Sequence, residues 1–149
     1  EKLSQFFGIL PPKIREGAEH AYYLHCFRFD EKIVGVSRDK FVAAVKAELP
    51  ATELRETEGV KIGCGYVKPL YLMPIFQQKI AIGRRGYPFK SEFYQKDVFY
   101  PKGLCPVVER MHEKELFTHE FMRPPATRED LDDVVKAFEK VYRFKDELK

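Results

Sequence analysis

No run of about 18 apolar residues occurs anywhere in this sequence, which excludes a membrane-spanning helix. The opening Glu1-Lys2-Leu3-Ser4-Gln5-Phe6-Phe7 has no long apolar stretch after a basic region, so it does not read as a signal peptide. It also lacks an initiating Met, which leads to the expectation of a fragment. Cysteine is scarce. The three present, Cys26, Cys64 and Cys105, are odd in number and far apart. They argue against a disulfide framework and suit a reducing cytoplasm. A strong charge of one sign is missing too. The 26 basic and 23 acidic side chains leave a formal +3, too small and too interleaved to argue for a nucleic-acid footprint.

What is present suits one packed domain. Of 149 residues, 44% are hydrophobic and 14% aromatic, enough for a single core. A chain of this size buries roughly 70% of its unfolded surface. Residues 1–18 read as a lead-in, in which Pro11-Pro12 excludes regular helix. Residues 19–29, aromatic and apolar on both alternating faces, predict a strand closed by a loop at Asp30-Glu31-Lys32. Ser37 is a good N-cap for a helix over about 38–49, with Phe41, Val42, Val45 and Leu49 on one face and Pro50 as the stop. Residues 59–65 alternate small and apolar side chains as a second strand. Their three glycines suggest close packing against the backbone.

Residues 66–104 are the least regular part, with prolines and glycines throughout and a short helix expected near 74–81. A loop this long in a compact domain is usually functional or mobile, so ligand contacts are expected here. Pro106 opens a helix to about Glu115 with Val107, Val108 and Met111 inward. Residues 116–122 predict a third strand. Thr127-Arg128-Glu129-Asp130 reads as a capping box for a terminal amphipathic helix carrying Leu131, Val134, Val135, Phe138, Val141 and Tyr142. The expected fold is α+β, a small three-stranded sheet with helices packed on one face. No internal repeat, low-complexity tract or second-domain boundary is visible.

Chemistry is thinly marked. His20, His25, His112 and His119 make no metal signature, and each reads better as a surface or core histidine. No local cysteine-protease pattern appears. Gly83-Arg84-Arg85-Gly86 lacks the phosphate-loop pattern. Arg84 and Arg85 could still grip a phosphate, although a mobile basic loop tip is the plainer reading. Tyr66, Lys68 and Tyr71 bring phenols and an ammonium onto an irregular segment, which suits a polyhydroxylated or phosphorylated ligand. Two tyrosines anchoring a loop on the core would look the same. No residue reads as catalytic or metal-ligating.

Five pieces, in order, resemble the C-terminal domain of the DegT/DnrJ/EryC1/StrS family of aminotransferases over essentially the whole chain. Residues 19–30 resemble the family's first small-domain strand, and Val36-Ser37-Arg38-Asp39-Lys40-Phe41 its "Ser-Arg-Asp-x-Phe" helix start. Residues 66–76 resemble its "Pro-Leu-His-x-x-Pro-x-Phe/Tyr" segment. Cys105-Pro106-Val107-Val108-Glu109-Arg110 resembles "Pro-Val-Ala-Glu-Arg", and Thr127 to Leu131 the final helix start.

The resemblance implies a pyridoxal-phosphate-dependent enzyme that moves an amino group from glutamate or glutamine to a keto-sugar, often nucleotide-linked, or a keto-cyclitol. It implies residues 1–18 as a lead-in from a missing large domain and 19–149 as the small domain. The large domain is the expected partner and carries the cofactor lysine, the acid paired with the pyridine nitrogen and the phosphate cup. None of those motifs stands here, so this chain is expected to bind no cofactor and to be inactive alone. Lys68 and Lys79 lack the Schiff-base pattern.

Substrate contacts are implied for Tyr66, Tyr71 and Lys68, then Arg84 and Arg85. Tyr71 stands where many members carry a histidine, and Gly65-Tyr66 where many carry His-Tyr, which bears on the sugar. The full-length protein is expected to be a cytoplasmic homodimer with no nucleic-acid or membrane partner. A free-standing sugar-phosphate- or protein-binding module is the alternative, and a split-enzyme subunit a third. A fragment should expose an apolar face, with Phe6, Phe7, Ile9 and Leu10 the expected exposed residues, and should self-associate.

Overall fold

The computed structural model describes residues 2–50, 60–94 and 96–149. They form an α+β structure in two compact units, Glu1–Tyr66 with Glu113–Lys149, and Val67–His112. The second unit was not legible as a boundary in the sequence.

The larger unit is built on an antiparallel sheet of four short strands: β1 (Ile9–Leu10), β2 (His25–Phe29), β3 (Ile62–Cys64) and β4 (Leu116–His119), in the order β1-β2-β4-β3. The expectation of three strands therefore misses β1. This strand comes from the lead-in, where Leu3, Phe6 and Ile9 are buried and only Phe7 and Leu10 of the four expected exposed residues are exposed. Gly8 makes the entry possible. Its φ is +87°, its carbonyl accepts from Asp30 N–H at 2.8 Å, and a Cβ there would sit 2.6 Å from Val34 Cγ2.

Strand lengths are set by partners rather than by composition. β2 pairs with β4 from His25↔His119 to Arg28↔Leu116 and with β1 at Phe29 and Arg28. Residues 19–24 have no ladder partner and lie outside the strand, shortening the predicted 19–29 element to its second half. β4 likewise ends at His119 rather than at Met122. In the glycine-rich strand, Gly59 lies outside the described residues. Gly63 has open space where a Cβ would be, so close packing does not explain it.

The two long helices were legible. In α2 (Arg38–Glu48), the Ser37 hydroxyl accepts from Lys40 N–H, and Phe41, Val42 and Val45 are buried. In α5 (Arg128–Arg143), Thr127 and Asp130 form a reciprocal capping box, and Val134, Ala137, Phe138 and Val141 face inward. Between β2 and α2 lies a one-turn helix, α1 (Glu31–Val34), where a loop was expected. Asp30 caps it and Gly35 closes it in the left-handed region.

The sheet face bearing Phe27, Phe29 and Phe117 packs on these helices. Phe29 meets Phe41 at 5.2 Å, Phe41 meets Phe138 at 6.0 Å, and Phe138 meets Phe117 at 6.1 Å between ring centroids. Burying each of these four rings contributes roughly 1.5–3 kcal/mol. They outweigh the modest propensities of such short strands.

The smaller unit, Val67–His112, holds a 3-10 turn (Leu70–Leu72), the one-turn helix α3 (Pro74–Gln77) and the helix α4 (Pro106–Arg110). Its aromatic centre is Phe76, Phe89 and Tyr100, packed edge to face at 5.5–6.3 Å. The helix expected over 74–81 stops early because Lys79 takes φ +54°, a conformation no helix continues through. The helix at Pro106 turns its faces opposite to expectation: Val107 and Val108 are exposed, Met111 is only partly buried, and Glu109 is buried. Glu109 has partners that local periodicity does not reveal.

Candidate functional site

The segment that follows β3 leaves the sheet through Gly65, whose N–H donates to Leu116 O at 2.6 Å and whose φ is +65°. This bond fixes where the next residue, Tyr66, begins. Tyr66 is half exposed, and its hydroxyl lies 3.4 Å from that of Tyr23. Sharing a hydrogen bond with Tyr23 raises its pKa above the ordinary phenol value. A pair of exposed phenols offers donors and acceptors to a polar ligand.

Tyr71 is used differently. Its hydroxyl donates to Glu109 Oε1, and the same carboxylate oxygen accepts from Gly103 N–H at 2.6 Å. Desolvation and then the bond to Glu109 push the Tyr71 phenol up to about 12. The hydrogen bond from Tyr71, more than any other contact, holds Glu109 below the ordinary carboxylate range. Gln77 Nε2 then donates to Tyr71 O at 2.7 Å and Tyr100 O at 2.8 Å, tying the segment across the smaller unit. The Tyr71 hydroxyl is thus engaged within the smaller unit. Tyr71→Phe is expected to bring the Glu109 pKa back toward its ordinary value and to speed hydrogen exchange at Gly103 several-fold. Carboxyl carbon shifts and amide exchange by NMR check both.

Lys68, Arg84 and Arg85 are exposed. The arginines sit at the tip of a turn closed by an Ile82–Tyr87 bridge, with Ile82 N–H donating to Tyr87 O at 2.8 Å. Gly83 and Gly86 flank them with positive φ, and a Cβ on Gly86 would lie 2.7 Å from Lys79 O.

Charge is less evenly spread than the interleaved sequence suggests. Between Val67 and His112 eight Lys and Arg stand against three Asp and Glu, while the remainder carries eighteen against twenty. Two of those three acids are engaged, Glu109 with Tyr71 and Asp97 with Lys79. The smaller unit thus presents a positive surface suited to an anionic ligand.

Other chemistry is not supported. Among the described residues no three His, Cys, Asp or Glu side chains could hold a metal ion. Desolvation and then a hydrogen bond to Asp39 raise the Cys64 thiol to about 11, and burial raises Cys26, so neither is a ready thiolate. Lys79 pairs with Asp97 at 3.4 Å and rests 4.7 Å above the Phe99 ring. No helix among the described residues is long and apolar enough to cross a membrane.

Sequence reasoning missed two features. Arg38, read only as part of a helix start, is 3% exposed and reaches back to main-chain carbonyls near β4. His25 and His119, read singly, face each other across β2 and β4. Only the strand register brings the histidines together.

No protein-family profile matches the chain. It is similar to the spore coat polysaccharide biosynthesis protein SpsC of Bacillus subtilis, 22% identical over 134 residues, which is 89% of this chain and 26% of SpsC. It is also similar to an uncharacterized protein of Methanocaldococcus jannaschii, 24% identical over 141 residues, 95% of this chain and 28% of that protein. The chain spans about a quarter of the length of the curated relatives it matches.

Proposed function

We propose that this chain is the small C-terminal domain of a pyridoxal-phosphate-dependent aminotransferase of the DegT/DnrJ/EryC1/StrS family, acting on a keto-sugar, a nucleotide-linked keto-sugar or a keto-cyclitol in the cytoplasm. The observation that carries the reading is the alignment of nearly the whole chain with a protein named for polysaccharide biosynthesis. The resemblance of residues 66–76 to the family's substrate-side segment supports it, as does the net positive charge of Val67–His112, which suits a sugar carrying phosphates.

In this reading Tyr66 and Lys68 approach the sugar, and Arg84 and Arg85 approach phosphate. Tyr71, whose hydroxyl is taken by Glu109, holds the segment in place. The partner is a large cofactor-binding domain, and the full enzyme is a homodimer.

The lysines named here do not fit the cofactor. Lys68 is exposed and Lys79 is ion-paired, whereas a Schiff-base lysine must be poised as a free amine beside an anion site.

The test has two parts. Mixed with pyridoxal phosphate, the chain alone is expected to give no stoichiometric absorption band near about 400 nm, the region of a lysine Schiff base. A band abolished by changing one lysine would place a complete cofactor site here and sink the reading. Supplied with a cofactor-binding domain, on the same or a second polypeptide, the chain should support amino transfer from glutamate or glutamine to a keto-sugar. Lys68→Ala and a double change of Arg84 and Arg85 to Ala should raise KM more than they lower kcat.

A further inference from the structure

The helix-facing end of the sheet in the larger unit is not closed. Leu3, Phe27, Phe121, Leu131, Val134 and Val135 wall an open groove of about 430 Å3, and His25 and His119 line it as well. The two imidazoles are opposite one another in the β2–β4 register, edge to face with centroids 4.8 Å apart. His119 is 4% exposed, and Phe27 and Phe121 stack on its ring at 5.5 and 5.0 Å. Stacking with these two phenyl rings leaves the polar edge of the imidazole to be satisfied.

That edge has nothing to bond among the described residues. Both ring nitrogens of His119 and Nδ1 of His25 are buried without a hydrogen-bond partner. Buried polar atoms in native structures are nearly always paired, so three orphans lining one groove require an explanation. A neutral imidazole offers one N–H and one lone pair on opposite sides of the ring. A hydroxyl can meet either nitrogen, donating to the lone pair or accepting from the N–H. The walls are aromatic and aliphatic, so the body of an occupant is apolar. At the rim Lys2 pairs with Asp132 and the exposed Arg128 adds a further cation, so charge sits at the mouth and the interior walls carry none.

We propose that this groove is a binding site for a neutral aromatic alcohol, its ring against Phe27 and Phe121 and its hydroxyl on the edge of His119. The site stands independently of the aminotransferase reading. Burial keeps His119 unprotonated at neutral pH, with its pKa lowered to about 3, so both kinds of hydrogen bond remain open to the ligand.

Phenol is the probe, with benzene as the control that lacks the hydroxyl. On the 149-residue chain at neutral pH, long-range 1H–15N NMR of the histidine side chains reads the site directly. Phenol is expected to shift the His119 and His25 ring nitrogens saturably, and to bind about tenfold more tightly than benzene, the effect of one well-placed hydrogen bond. His119→Phe keeps the stacked rings and should abolish the preference for phenol while leaving benzene binding. His25→Phe gives a second reading, with a partial loss. The proposal is overturned if phenol produces no saturable shift, if the two ligands bind alike, or if His119→Phe leaves the preference intact. The wild-type comparison decides the matter even if a variant does not fold.

Discussion

Acid is expected to unfold this chain earlier than a protein of its composition should, and changing His119 to Phe is expected to remove most of that sensitivity. Burial, and then the proximity of His25, lower the His119 pKa from 6.5 to about 3. In the unfolded chain the same imidazole titrates near its ordinary value, about 6.5. Above that pH both states hold a neutral ring and the group adds no pH dependence. Below it the unfolded state takes up a proton that the folded state refuses until about pH 3. The unfolded state therefore binds more protons throughout that window, and stability falls as pH falls, by at most about 1.4 kcal/mol per pH unit. Across the window the loss reaches up to about 5 kcal/mol, comparable to the whole stability of a small domain. His25 is shifted in the same direction, again mainly by burial, and adds to the slope.

His119→Phe removes the titration and the two orphaned nitrogens together, and the new ring keeps the stack with Phe27 and Phe121. At neutral pH the variant is expected to be more stable by about 1–3 kcal/mol, the usual penalty of an unsatisfied buried polar group. Urea unfolding of both proteins between pH 7.5 and 4 checks this. The wild-type curve should drop away from the variant as pH falls through 6; parallel curves would mean that the folded imidazole is hydrated and titrates normally.

How much could be read in advance follows from how local each signal is. The caps of α2 and α5 lie within four residues of the faces they start, and both helices stand where Ser37 and Thr127 place them. β1 has two residues before Pro11, too few for any periodicity to register, and it exists only because Phe29 and Arg28 offer it a partner. Glu109 was read past in favour of its valine neighbours because its burial depends on Tyr71 and Gly103, which no helical spacing reaches. At the candidate site the residue types in 66–76 were legible, but their division of labour was not. Tyr66 faces another phenol and Tyr71 a carboxylate, two environments that a string of letters presents identically.

Arg38 carries the second large effect, and its placement already argues for it. A cation in the first turn of a helix opposes the macrodipole, so an arginine at that position of α2 has a use elsewhere. Its guanidinium is 3% exposed and donates from Nη1 to Leu116 O at 2.8 Å, from Nη2 to Glu113 O at 2.7 Å, and from Nε to Asp39 Oδ1 at 2.8 Å. Bonds from a charged donor are worth about 1.5–3 kcal/mol each, and Glu113 O would lose this one outright. Arg38→Met, similar in length and without donors, is therefore expected to lower stability by about 3–5 kcal/mol, a large share of a domain's total. Arg38→Lys should recover only part of it, since a point charge cannot serve two carbonyls and a carboxylate in one plane. The consequence extends to the neighbouring segment, because Leu116 O accepts from Gly65 N–H as well as from Arg38, and Gly65 immediately precedes Tyr66. In this geometry the "Ser-Arg-Asp" start of α2 pins the strand end from which residues 66–76 depart. Denaturant midpoints for the three proteins, with Tyr66 resonances followed alongside, test both parts. A Met variant within about 1 kcal/mol of wild type, with Tyr66 unmoved, would mean that the carbonyls find other donors and that Arg38 is dispensable.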